Sequence, residues 1–150
     1  MPSLFQRANR HAQRIAVRQG SQAWEYETLL GDSGHLAYLL KNNQQALTGK
    51  RIAFLVSPGY GYIRTQWAIW QTGAIAIPLC IDHPLPSLQF ILDDTEATTL
   101  IYAAEFEPLV SAIAMPPEGL KILLPAASTP RPVVPPPSPV ADQPAMILHT

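Results

Sequence analysis

Cys80, Asp82 and His83 form the densest cluster of reactive side-chain types in the chain. A thiol near an imidazole is the start of a nucleophilic pair, and all three types ligate metals. The set has no further ligand nearby and no third group to orient the imidazole, so it reads as loop geometry after a strand. Ser57-Pro58-Gly59-Tyr60-Gly61 lies between a strand and a helix, where phosphate loops sit. It lacks both a Lys-Ser/Thr pair and the three-glycine spacing, and reads as a plain βα turn. Trp67 and Trp70 could stack on a nucleotide, but their helical spacing favours a place in the core. His149 either packs near a ligand or simply ends a strand. No residue is assigned as catalytic and none as a metal ligand.

The elements that carry these residues alternate between strand and helix. Pro2 to Arg14 is expected as a helix, with Leu4, Ala8, Ala12 and Ile15 on one face. Ile15–Arg18 and Gln22–Tyr26 read as a β-hairpin turning at Gly20-Ser21. A helix is expected from Thr28, as its cap, to Asn42. Gly31 and Gly34 weaken that helix and suggest close packing.

Arg51 to Val56 is an almost continuous apolar run, which suits a strand covered on both faces in a parallel sheet. Tyr60–Thr72 follows as a helix with Tyr60, Ile63, Trp67 and Trp70 on one stripe, and Gly73 stops it. Ala74–Leu79 is the next strand, so the three make a βαβ unit with the usual right-handed crossover. The pattern continues with a helix over Pro86–Asp94 and a strand over Thr99–Tyr102. A helix over Glu105–Ala114 and a strand over Leu120–Leu124 complete it.

The composition then shifts. Ten of the 16 prolines lie between Pro116 and Pro144. Residues 125–144 can be neither helix nor central strand and are expected to form an extended connection. Residues 145–150 read as a buried strand. The expected organisation is thus an α/β unit over 1–124, a proline-rich connection over 125–144 and a strand over 145–150. The expected fold is α/β, with a largely parallel sheet, βαβ units, helices on both faces and an N-terminal β-hairpin.

Bulk properties exclude several classes. Net charge is −1, from ten basic and eleven acidic residues. That balance makes no strong field, so nucleic acid and anionic membranes are poor partners. The longest apolar run, Ala74 to Ile81, is broken by Pro78 and is far shorter than a membrane span. Cys80 is the one cysteine, so no internal disulfide can form, which suits a reducing, cytoplasmic setting. Arg7, Arg10, Arg14 and Arg18 precede the first acid, Glu25, which has the flavour of a transit peptide. The stretch is poor in serine and runs straight into a strand, so it reads as the opening helix of the domain.

Three motifs together resemble the adenylate-forming superfamily, which holds acyl-CoA synthetases, peptide-synthetase adenylation domains and luciferases. Trp67 to Leu79, then His83-Pro84, then Leu88 to Asp94, resembles its second core motif. Tyr26-Glu27-Thr28-Leu29 resembles its Tyr-x-Glu-Leu signature, with Thr28 where the family has Glu. Ile147-Leu148-His149-Thr150 resembles the lead-in to its phosphate loop. The paired tryptophans, Pro78-Leu79-Cys80 and His83-Pro84 look most like malonyl-CoA synthetases.

The resemblance implies an AMP-forming acid–CoA ligase using ATP, Mg2+ and coenzyme A. A carboxylate would attack the α-phosphorus of ATP, and the thiol of coenzyme A would then displace AMP. Thr150 is the one residue the resemblance implies to be nucleotide-binding. The rest of the phosphate loop, the downstream Thr-Glu, the ribose-gripping Asp and the catalytic Lys match no position here. The expectation is therefore an incomplete N-terminal subdomain, inactive alone, whose complete form takes a small carboxylic acid, ATP and CoA. Two alternatives are a fatty-acid or amino-acid activating member, and a non-catalytic α/β module whose proline tract recruits a partner.

Overall fold

The computed structural model describes residues 3–42, 47–127 and 144–149. The first helix, α1 (Leu4–Arg10), is shorter than its apolar spacing suggested. Ser3 caps it: the Gln6 N–H donates to Ser3 Oγ at 3.2 Å, and the Ser3 N–H donates to Gln6 Oε1 at 2.8 Å. This reciprocal box satisfies two amide donors that a helix start would otherwise leave free. The helix ends because the chain is drawn elsewhere. The carbonyls of Ala12 and Arg14 accept from the amides of Glu27 and Tyr26, at 2.8 and 3.0 Å.

The hairpin is β1 (Ile15–Gln19) and β2 (Gln22–Glu25), antiparallel. It runs directly into α2 (Tyr26–Lys41), whose N-cap is Glu25 rather than the expected Thr28. Thr28 sits inside the first turn, because the two bonds from the 12–14 loop already fix where the helix begins. Gly31 was expected to permit close packing, yet a Cβ there would meet nothing within 4 Å.

The main sheet contains β3 (Arg51–Leu55), β4 (Ile75–Pro78), β5 (Thr99–Tyr102) and β6 (Leu120–Leu123). All are parallel, in the order β4-β3-β5-β6. Alternation along β3 divides two cores. Ile52 and Phe54 face α2 and α3 (Tyr60–Gln71), with Leu36, Leu40, Ala68 and Ile69. Ala53 and Leu55 face the opposite side, with Leu88, Ile91 and Leu92 of α4 (Leu85–Thr95) and Val110 of α5 (Glu107–Ser111). Because β3 is covered on both faces, every side chain in its apolar run is hidden. Each such Leu, Ile or Phe contributes about 1.5–3 kcal/mol. A third cluster seats the hairpin and α1 on α2 and α3, through Phe5, Ala8, Val17, Leu29, Tyr60 and Trp67.

Gly73 stops α3 with φ of 81°, and a Cβ there would lie 3.1 Å from Thr48 Oγ1. Both the backbone angle and the space require glycine. The expected helix over Glu105–Ala114 is instead a 3-10 turn, Ala104–Phe106, leading into the short α5. Pro108 lies in the first turn of α5, where its missing N–H does no harm.

Residues 145–150 were expected to be a buried strand. The described residues 144–149 instead make a single parallel bridge, Met146 to Ala76 on the outer edge of β4. Leu148 is 70% exposed. The apolar run pairs on one side only, and Ile147 is half-buried against the cluster that includes Leu88, Ile91 and Leu92. No described helix is long and apolar enough to cross a membrane.

Candidate functional site

In a parallel sheet all strand exits face one way, and ligands of such sheets bind beyond those exits. The exits of β3, β4, β5 and β6 therefore define the candidate site. Beyond β3, Ser57 Oγ donates to Glu105 Oε1 at 2.5 Å, joining the loop after β3 to the loop after β5. Beyond β4, the Leu79 N–H donates to the Phe54 carbonyl at 2.9 Å and carries the strand ladder one step further.

The Cys80, Asp82 and His83 cluster lies on this rim. Cys80 and Asp82 are exposed. The His83 amide donates to the Cys80 carbonyl at 3.2 Å, which is a turn contact. His83 Nδ1 is buried without a hydrogen-bond partner among the described residues, so its ring is paired with neither the thiol nor the carboxylate. A shared loop brings the three together, but no acid–base geometry does.

The loop over residues 57–61 is a βα turn. The Tyr60 N–H, at the start of α3, donates to Gln19 Oε1 at 3.1 Å. Gly59, with φ of 145°, would press a Cβ to 2.7 Å from that same oxygen. The hairpin side chain thus occupies the amide end that a phosphate loop would present.

Trp67 is 8% exposed and packs edge-on to Phe5 at 5.5 Å, inside the core. Trp70 differs: it is half-buried, and its indole N–H donates to the Ala145 carbonyl at 2.8 Å. His149 sits against α4, with Nε2 3.3 Å from Asp94 Oδ2 and its ring edge-on to Phe90 at 5.4 Å. Thr150 lies outside the described residues, as do residues 128–143 of the proline-rich stretch.

A buried polar network between α2 and α3 was not foreseen. Tyr60 donates to Asp32 Oδ2 at 2.5 Å, and Trp24 stacks on the Tyr60 ring at 4.4 Å. Arg64 is 5% exposed and donates through Nη2 to the Pro125 carbonyl at 2.5 Å, while its Nε has no partner among the described residues. Gln71 Nε2 donates to Ser33 Oγ at 2.7 Å, and Ser33 in turn donates to the Leu29 carbonyl at 2.6 Å.

Burial first, then the hydrogen bond and negative charge of Asp32, push the Tyr60 hydroxyl well above its ordinary range. Burial lowers Arg64, opposed by the charges of Asp32 and Tyr60. One sequence signal could have found this network. Asp32 and Ser33 interrupt the apolar stripe of Leu29 and Leu36, and Arg64 interrupts that of Tyr60 and Trp67.

Residues 4–150 match the family described as AMP-binding enzyme. The mitochondrial malonate–CoA ligase of Xenopus laevis is 31% identical over 115 residues, covering 74% of this chain and 20% of that protein. A feruloyl-CoA synthase of an Amycolatopsis species is 32% identical over 108 residues, covering 72% of this chain and 22% of that protein. Among solved structures, apo MatB of Rhodopseudomonas palustris superposes with a TM-score of 0.80 at 19% identity. The match covers 99% of this chain and 32% of that one. The N-terminal subdomain of Klebsiella oxytoca NpsA, in complex with 3-hydroxybenzoyl-AMSN, superposes with a TM-score of 0.79 at 20% identity. It covers 100% of this chain and 38% of that one. The chain thus spans about a fifth of the length of these curated relatives, and the solved structures share its fold.

Proposed function

Since the chain belongs to the AMP-binding enzyme family, we propose that its 150 residues form the N-terminal part of the nucleotide-binding body of an acid–CoA ligase. The observation that carries this reading is the family match over residues 4–150 on a parallel sheet whose exits face one side. The proposed reaction has two steps. A carboxylate oxygen attacks the α-phosphorus of ATP and pyrophosphate leaves. The thiol of coenzyme A then attacks the acyl carbon and AMP leaves. A carboxylate is a poor acylating agent, and its conversion to a mixed anhydride supplies the leaving group.

The part of this chain is to position. The β3 and β5 exit loops are joined through Ser57 and Glu105, and residues 144–149 lie along the outer edge of β4. In this reading Thr150 offers its hydroxyl and amide to a phosphate. Mg2+ accompanies ATP in the family resemblance; no three His, Cys, Asp or Glu side chains converge among the described residues, and no step is assigned to the metal.

Malonate is the proposed acid. Malonate–CoA ligases of Xenopus laevis, Homo sapiens and Mus musculus, at 31, 28 and 29% identity, support it. The proposed location is the cytoplasm. The four arginines that suggested a leader begin on α1, which is folded into the core by Phe5 and Ala8. Imaging of a C-terminally tagged chain, which would appear in an organelle if this is wrong, tests it.

The positioning role is tested by carboxylate-dependent ATP–pyrophosphate exchange with the 150-residue chain, offered malonate, ferulate or a fatty acid. The expected result is no exchange above blank, because the catalytic Lys and the rest of the phosphate loop that the resemblance implies match no position in these 150 residues. Exchange with any of these acids would overturn the assignment of a purely positioning role.

A further inference from the structure

Two side chains of α3 reach out of the helix to main-chain carbonyls at the two ends of the proline-rich stretch. Arg64 donates to the carbonyl of Pro125, two residues past the end of β6, at 2.5 Å. Trp70 donates to the carbonyl of Ala145, where the chain returns beside β4, at 2.8 Å. The two donors stand six residues apart on one helix, a rise of about 9 Å. The sheet alone does not provide this link, since β6 and the Met146 bridge lie at its opposite edges.

Each grip has a distinct physical character. The Ala145 carbonyl accepts twice, from Trp70 Nε1 and from the Ala76 amide at 2.9 Å, so both of its lone pairs are used. The next bond, from the Ile147 amide to the Ala76 carbonyl at 3.0 Å, follows directly from that anchoring. At the other end the Arg64 guanidinium is buried, with Asp32 and Tyr60 supplying nearby negative and polar groups. A buried cation that spends one of its few hydrogen bonds on a main-chain carbonyl fixes that carbonyl tightly, because losing it would leave more of the charge unsatisfied.

We propose that α3 holds both ends of the stretch between β6 and the edge of β4, with Trp70 as the positioning residue for residues 144–149 and Arg64 as the positioning residue for the chain at Pro125. The proposal rests on the ligase reading for its purpose, since residues 147–150 resemble the lead-in to a phosphate loop. A loop that must place several amides around a phosphate needs its first residues held in register. Here that register is set by the two backbone bonds to Ala76 and by the Trp70 donor on the Ala145 carbonyl, with Ile147 half-buried and Leu148 70% exposed.

The test is amide hydrogen exchange on the 150-residue chain, comparing wild type with Trp70→Phe, Arg64→Met and Arg64→Lys. Trp70→Phe keeps an aromatic ring and removes the donor, with some loss of ring contact to the clusters beside it. It should speed exchange of the Ile147 and Ala76 amides by about fivefold, the worth of one ordinary hydrogen bond. Arg64→Met should speed exchange of the Leu124 amide, which donates to the Tyr102 carbonyl, and Arg64→Lys should recover part of that protection. The Phe54 and Ile101 amides in the sheet centre should keep their wild-type rates after Trp70→Phe. If Arg64→Met does not fold, Trp70→Phe and Arg64→Lys still decide the matter. Unchanged exchange at both ends, a response at one end alone, or a rise in step across all amides would overturn the shared grip. No nucleotide enters this measurement, so its failure would leave the ligase reading standing, and failure of the ligase reading would leave the two grips standing.

Discussion

Strand β3 and the segment over residues 144–149 look alike as sequence and differ as structure. Both are short apolar runs, Ile52 to Val56 and Ala145 to Leu148. β3 pairs on both edges and is covered on both faces, with Phe54 and Leu55 at 0% exposure. The segment pairs on one edge through a single bridge, with Leu148 at 70% exposure. The contrast teaches that composition makes a stretch eligible to be a strand, while its neighbours decide whether it is held by buried area or by a few directed hydrogen bonds.

The largest expected effect tests that contrast directly. Phe54→Ala removes a fully buried ring at the centre of one core and should cost about 3–5 kcal/mol. Leu148→Ala should change stability by no more than about 0.5 kcal/mol. Urea unfolding of both variants gives the comparison, and costs of similar size would break it.

Next in size is the polar layer between α2 and α3. Tyr60→Phe leaves Asp32 buried without its donor and should cost about 1–3 kcal/mol. It should also alter the alkaline limb of the stability profile. Unfolded tyrosine titrates near about pH 10. The folded state holds the Tyr60 proton to higher pH, because burial and Asp32 both disfavour the phenolate. Above that pH the unfolded chain has lost a proton that the folded chain keeps, so stability falls as pH rises. Below it the contribution is constant. Urea midpoints measured from about pH 8 to about pH 11 should fall less steeply in Tyr60→Phe than in wild type. Equal slopes would remove Tyr60 from the alkaline response.

The smallest effect has the opposite sign. Gly31→Ala should stabilise the chain by about 0.5–1 kcal/mol, because alanine suits a helix interior better than glycine. The new Cβ meets no atom within 4 Å. A loss of stability, read from the thermal midpoint, would restore the close-packing expectation for that position.

How much was legible follows from the same physics. β3, β4 and β5 were readable because a two-face-covered strand must be apolar at nearly every position, and α3 because Tyr60, Ile63, Trp67 and Trp70 repeat at helical spacing. The start of α2 was not readable, because it is set by bonds from the carbonyls of Ala12 and Arg14, far back along the chain. The segment over 144–149 was misjudged as buried, because an apolar run does not say how many neighbours it has. The turn nature of residues 57–61 was legible from a missing motif, but the Gln19 side chain that fills it was not. The polar breaks at Asp32 and Arg64 in two apolar stripes marked a buried polar layer, but which partners meet there, and the two grips of α3, depend on meetings across the fold. The superfamily resemblance carried furthest, because three ordered motifs constrain one another and the match extends over residues 4–150.

The most direct measurement of the central claim is a transplant. The matching segment of the Xenopus laevis malonate–CoA ligase, about a fifth of that protein, is replaced by this chain, and the purified chimaera is assayed for ATP-dependent malonyl-CoA formation. The account predicts a folded chimaera that makes malonyl-CoA, while neither piece does so by itself. A chimaera that folds cooperatively and binds ATP yet activates no carboxylic acid would contradict it.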